Sequence, residues 1–334
     1  MPLRGCLRAT LALIFALPLC AQQPAAWTDP SPHRVQFVTV DENVRLEVLD
    51  WGGSGRPLVF VPGLGNTAHV FDDFAPKFTA RYHVYGVTRR GFGASSAPAA
   101  GYGADRLGDD VLAVLEALKL DRPVLAGHSL GGEELSSIGS RHPDRVSGLI
   151  YLDAGYSYAF DNGKGMTVEA QQEMAKHPPP SGPSRSAADR ATFGAFQAWF
   201  LRTMGIAIPE AETREMYRPG DDGGVGFPRS PVHVSPDILA GFKKYTDIPA
   251  PVLAIYAVPK AQAPWLKDAD PNVRSAYQEF MDKTDALTEK QVKEFENGVP
   301  GAKVVRIANA NHYVFLSNEA DVLREMNAFL ATLK

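Results

Sequence analysis

One serine and one histidine stand in surroundings suited to nucleophilic chemistry. Ser129 lies in Gly127-His128-Ser129-Leu130-Gly131, with Gly132 next. The residues before it, Val124-Leu125-Ala126, are apolar and strand-like. Those from Glu133 to Arg141 have helical spacing. G-x-S-x-G between a strand and a helix makes a sharp turn. Its glycines let the backbone pass closely, and the hydroxyl projects beside free N–H groups that favour negative charge. A serine hydroxyl is a weak nucleophile without a base. The histidines are His33, His69, His83, His128, His142, His177, His233 and His312. His128 is expected to point the other way round the turn, and His142 precedes Pro143 at a helix end. His312, in Ala308-Asn309-Ala310-Asn311-His312, follows the last predicted strand and precedes the last helix. In a parallel sheet that position opens onto the edge from which Ser129 emerges.

The elements that must position this pair alternate between strand and helix. Val35–Val40 and Val44–Leu49 read as a hairpin. Leu58–Val61, Tyr82–Val87, Pro123–Ala126 and Val146–Leu152 read as strands, with helices predicted over Val70–Ala80, Asp105–Leu120 and Glu133–Arg141. The alternation resumes at Val252–Ala257, Glu289–Asn297, Ala302–Ile307 and Glu319–Leu333. This pattern predicts an α/β fold with a mostly parallel, doubly wound sheet. The stretch 155–248 breaks the rhythm with Pro178-Pro179-Pro180 and Asp221-Asp222-Gly223-Gly224, and is read as an inserted cap. The expected division is a linker over 22–34, a core over 35–154 and 249–334, and the cap between them.

From about residue 35 onward the sequence resembles the α/β-hydrolase superfamily. The marks are Phe60-Val61-Pro62-Gly63-Leu64-Gly65, Arg89-Arg90-Gly91-Phe92-Gly93-Ala94-Ser95, Gly127 to Gly132, and Asn311-His312-Tyr313. The resemblance implies an acid to orient His312. The position after Val252–Ala257 reads Val258-Pro259-Lys260-Ala261-Gln262, with no carboxylate. Asp153, at the end of the preceding strand, is the first candidate, and Asp268 the second. It also implies two backbone donors for an oxyanion, Leu130 and Leu64. Arg89-Arg90 is read as fixing its loop through carboxylate pairing. Glu133 and Glu134 are read as suiting a helix start, with a tuning role for Glu133 as the alternative.

The implied reaction is cleavage of a carboxylic ester through an acyl-enzyme, with no metal or organic cofactor. Amide or peptide cleavage, C–C hydrolysis and acyl transfer use the same residues, and a non-catalytic binding protein is the rival of another class. Within the cap, Phe193, Phe196, Phe200 and Met204 share one helical face, with Trp199 and Tyr217 nearby. That face either packs on the core or forms, from Phe196, Trp199, Phe200 and Trp265, an apolar wall for the substrate. The net charge of −4 and the lack of a basic run give no support for a nucleic-acid partner. The expected partner is a small ester-like molecule. Arg4 and Arg8, the apolar stretch Leu11–Leu19 and Cys20-Ala21-Gln22-Gln23 read as a secretory signal over 1–21, too short to span a bilayer. Secretion or periplasmic export is therefore expected, with lipid anchoring at Cys20 second. Both cysteines, Cys6 and Cys20, fall inside that signal. The remaining chain can have no thiol nucleophile.

Overall fold

The computed structural model describes residues 27–333. The expected signal over 1–21 lies outside them. The chain divides into two units, Met1–Pro30 and Ser31–Lys334, and every described strand and helix belongs to the second. Its strands are β1 (Arg34–Asp41), β2 (Val44–Gly52), β3 (Pro57–Val61), β4 (His83–Val87), β5 (Val124–His128), β6 (Gly148–Leu152), β7 (Tyr217–Pro219), β8 (Val225–Pro228), β9 (Val252–Ala257) and β10 (Lys303–Ile307). Eight of them form one sheet in the order β1-β2-β4-β3-β5-β6-β9-β10. The pairs β1/β2 and β2/β4 are antiparallel, and all pairs from β4 to β10 are parallel.

The apolar runs explain this sheet. Residues along β3 alternate between two cores: Val59 and Val61 enter one, Leu58 and Phe60 the other. β5, β6 and β9 do the same, so the central strands are buried on both faces, as parallel strands require. The helices are α1 (Ala104–Ala117), α2 (Gly131–Arg141), α3 (Val168–Ala175), α4 (Ala187–Arg190), α5 (Phe193–Met204), α6 (Glu210–Met216), α7 (Val234–Ala240), α8 (Pro271–Gly298), α9 (Val314–Ser317) and α10 (Glu319–Leu330). α1, α2 and α8 cover one face, supplying Val111, Leu135 and Phe295. Phe71, Phe74, Phe315 and Met326 cover the other. Each such side chain contributes roughly 1.5–3 kcal/mol when fully buried.

Three helices differ most from expectation. The helix predicted over Val70–Ala80 is two 3-10 turns, Ala68–Phe71 and Ala75–Phe78. Pro76 has no N–H to donate and its ring clashes with a carbonyl four residues back, so a continuous helix breaks there. The helix predicted over Glu289–Asn297 extends back to Pro271, where Asp270 caps it by accepting from the Asn272 N–H at 2.8 Å. The helix predicted over Glu319–Leu333 is preceded by the extra turn α9 and ends at Leu330. The chain between β6 and β9 carries α3 to α7 and the β7/β8 pair. Among the described residues, no helix is long and apolar enough to cross a membrane.

Candidate active site

The site is built at the carboxyl ends of β3, β5, β6 and β10. β5 ends at His128, and Ser129 turns the chain into α2 with φ +47°. That left-handed conformation is costly for any residue with a side chain. The turn closes because Gly127 and Gly131 touch: a Cβ on Gly127 would lie 2.7 Å from the Gly131 backbone. Ser129 is half-buried and lies beside the buried Tyr158.

Asp153 follows β6 in the same left-handed conformation, φ +46°. It is fully buried, and its Oδ2 lies 2.6 Å from His312 Nδ1. Its Oδ1 accepts from the Ala257 N–H at 3.0 Å and the Tyr156 hydroxyl at 2.8 Å. Burial alone would raise this carboxyl. The Lys260 charge, then the His312 hydrogen bond and the Ala257 N–H, hold it below the usual carboxylate range. With Nδ1 engaged, His312 keeps Nε2 for proton transfer. Asp268 is 81% exposed on a short 3-10 helix, beside Lys267. The structure brings Asp153, not Asp268, to the imidazole.

His128 does not turn away from the site. Its ring packs on His312 and on Tyr313, each at 4.7 Å between centroids. Its Nε2 donates to the His312 carbonyl at 3.1 Å. Burial, then the neighbouring His312, pushes its pKa well below the usual histidine value. A neutral ring is therefore packed at a tilt against the candidate base. This contact also carries His312 to the residue next to Ser129.

The loop after β3 lies against the serine turn. A Cβ on Gly63 would meet Ser129 Cβ and His128 Nδ1, each at 3.0 Å. Arg89, 4% exposed, donates to the Pro62 carbonyl at 2.8 Å and the Gly63 carbonyl at 3.1 Å, and pairs with Glu134. A trans peptide points its N–H opposite its C=O. Turning the Gly63 carbonyl to Arg89 therefore turns the Leu64 N–H away from it. Among the described residues, neither the Leu64 nor the Leu130 N–H has an acceptor in another loop or turn of the backbone. Arg90 forms a separate fork onto Asp110 at 2.5 and 2.7 Å. Glu133 is fully buried, and among the described residues neither of its oxygens has a partner. Burial, then Glu134, favours its neutral form.

A contact from the segment between β6 and β9 meets the same loop. Glu212 on α6 is fully buried and accepts from Asn66 Nδ2 at 2.8 Å, from the Thr67 N–H and from the Thr67 hydroxyl. Asn66 in turn accepts from the Tyr313 hydroxyl at 3.0 Å. The loop is thus held by Arg89 on its carbonyls and by Glu212 just downstream. A cavity of about 510 Å³ is lined by Trp199, Met204, Lys260, Trp265 and His312, but not by Ser129. Phe196 is fully buried in a separate cluster with Phe193 and Val225, and Phe200 packs against that cluster.

Sequence reasoning did not find Lys260, Tyr156, Tyr158, Asn66 or Glu212. Tyr156 and Tyr158 follow Asp153 closely in the chain, which was the one available signal. Glu212 is 145 residues from Thr67, and nothing local links them.

The matching family model, described as the alpha/beta hydrolase family, covers residues 58–325. The chain belongs to that family. It is 29% identical over 120 residues to a 2-(acetamidomethylene)succinate hydrolase of Mesorhizobium japonicum, covering 36% of this chain and 41% of the relative. It is 35% identical over 120 residues to a non-heme chloroperoxidase of Streptomyces lividans, covering 35% and 44%. These alignments span less than half of the relatives' own length. The crystal structure of E-2-(acetamidomethylene)succinate hydrolase superposes with TM-score 0.64 at 20% identity, covering 90% of this chain and all of that one. A bromoperoxidase from Bacillus anthracis gives TM-score 0.54 at 20% identity, covering 89% of this chain and 100% of that one. At such identity the likeness is one of fold.

Proposed function

We propose that the protein is a serine hydrolase that cleaves a carboxylic ester through an acyl-enzyme. The observation that carries this reading is the buried Asp153–His312 pair at 2.6 Å beside the serine turn. Ser129 attacks the carbonyl while His312 Nε2 takes its proton. The Leu64 and Leu130 N–H groups hold the oxyanion, and His312 returns the proton to the leaving alcohol. Water activated by His312 then releases the acid. Esters are favoured because an alkoxide leaves with less protonation than an amine does.

The test is turnover of p-nitrophenyl esters of graded acyl length, together with labelling by a fluorophosphonate. The wild type is expected to turn over and to be labelled at Ser129, and Ser129→Ala to do neither. A folded wild type that shows neither behaviour indicates a binding protein instead. A second reading is amide cleavage on a carboxylate-bearing substrate. Lys260 puts a cation on the cavity wall with His312, and one relative is named for an acetamido-substituted succinate. Esters and amides with and without a carboxylate separate the two.

We also read residues 1–21 as a secretory signal, from Arg4, Arg8 and Leu11–Leu19. Fractionation of expressing cells, with the N-terminus of the exported form sequenced, tests it. Export with a lipid on Cys20 is the alternative outcome.

A further inference from the structure

A second cluster of reactive side chains lies apart from Ser129. His33 directly precedes β1, His69 sits in the 3-10 turn Ala68–Phe71, and Asp72 closes that turn. Their side chains are only 3%, 5% and 1% exposed. His33 Nδ1 is 2.9 Å from Asp72 Oδ1, and His69 Nδ1 is 3.0 Å from Asp72 Oδ2. One donor atom from each of the three lies within 4.8 Å of the others.

We propose that His33, His69 and Asp72 bind one divalent transition-metal ion of the zinc type. Two imidazoles and a carboxylate suit zinc, whereas calcium and magnesium favour all-oxygen sites. A cation ~2.0–2.2 Å from each donor puts neighbouring donors ~3–3.5 Å apart; here each imidazole Nδ1 is 2.9–3.0 Å from one Asp72 oxygen, and one donor atom from each of the three residues lies within 4.8 Å of the others. Outer partners are in place as well. Metal-bound histidines commonly give their second nitrogen to a carboxylate. His69 Nε2 faces Glu47 Oε1 at 3.6 Å, and Glu47 Oε2 accepts from the Thr88 hydroxyl at 2.7 Å. Trp51 Nε1 donates to Asp72 at 3.0 Å and orients it. Asp72 and Glu47 thus bring two buried carboxylates to two imidazoles. The rival explanation is a hydrogen-bonded network of protonated imidazoles.

Such an ion would staple the chain ahead of β1 to the turn that directly follows Asn66 and Thr67. Its role is structural, and it does not depend on the ester reading. The test uses the full chain without an affinity tag, dialysed against a chelator. Titration calorimetry with Zn²⁺ is expected to give one site per chain and a raised thermal midpoint, with no rise for Mg²⁺. Co²⁺ is expected to give visible absorption bands at the same stoichiometry. Binding should weaken in acid, because a ligating imidazole nitrogen must be deprotonated. His33→Gln should lose most of the affinity, and Glu47→Gln should lose 10–100-fold. A folded wild type that binds no stoichiometric Zn²⁺ overturns the proposal. So does unchanged affinity in both variants.

Discussion

Asp153 accepts three hydrogen bonds, from His312 Nδ1, the Ala257 N–H and the Tyr156 hydroxyl. An amide in its place would offer His312 an N–H as readily as an oxygen, and the ring would lose its fixed tautomer. Asp153→Asn should lower kcat by about 10⁴-fold, the scale of losing an orienting acid, while Asp268→Asn stays near wild type. Steady-state kinetics on one ester with all three proteins decides it. Arg89 acts on the loop rather than on the reacting atoms. Arg89→Ala frees the Pro62 and Gly63 carbonyls and should cost about 10²–10³-fold in kcat, as losing an oxyanion donor does. It also strands buried Glu134, for about 3–5 kcal/mol of stability. Arg89→Lys keeps the charge without the fork and should fall between. Kinetics and thermal melting on the same samples separate the two effects.

At the scale of elements, Glu212 joins α6 to the loop after β3. Burial pushes its carboxyl from 4.5 up to about 7, against the pull of its hydrogen bonds to Thr67 and Asn66. The folded chain therefore holds one more proton than the unfolded chain between those values. Its contribution is complete below about pH 4.5 and is lost as pH rises through 7. Glu212→Gln should remove that slope from the thermal midpoint measured between pH 4.5 and 8. The sheet was legible in the sequence because β3, β5, β6 and β9 are short apolar runs set between turn signals. The serine turn was legible because its glycines mark a close approach. Most of α8 was not, because only Met281, Thr288, Gln291, Val292 and Phe295 along it are buried and its remaining surface is polar. The 3-10 turns were misread because apolar spacing alone does not register the break at Pro76. Contacts such as Glu212 with Thr67 exist only once the segment between β6 and β9 is folded onto the core.

At the scale of the whole molecule, two apolar layers enclose a sheet whose strand ends converge on one rim. Just past β5 and β6, at that rim, Ser129 and Asp153 take the left-handed backbone conformation. For a residue with a Cβ, the left-handed region costs about 1–2 kcal/mol. Glycine escapes that cost but gives the unfolded chain about 0.4–1 kcal/mol of extra entropy relative to alanine. Ser129→Ala and Ser129→Gly lose the same hydroxyl, so their difference isolates the backbone. Glycine at 129 should melt at the higher temperature, reversing the order found at ordinary sites. Evolution toward heat resistance alone would therefore erase the serine, and a library screened only for thermal survival should collect inactive clones at this position.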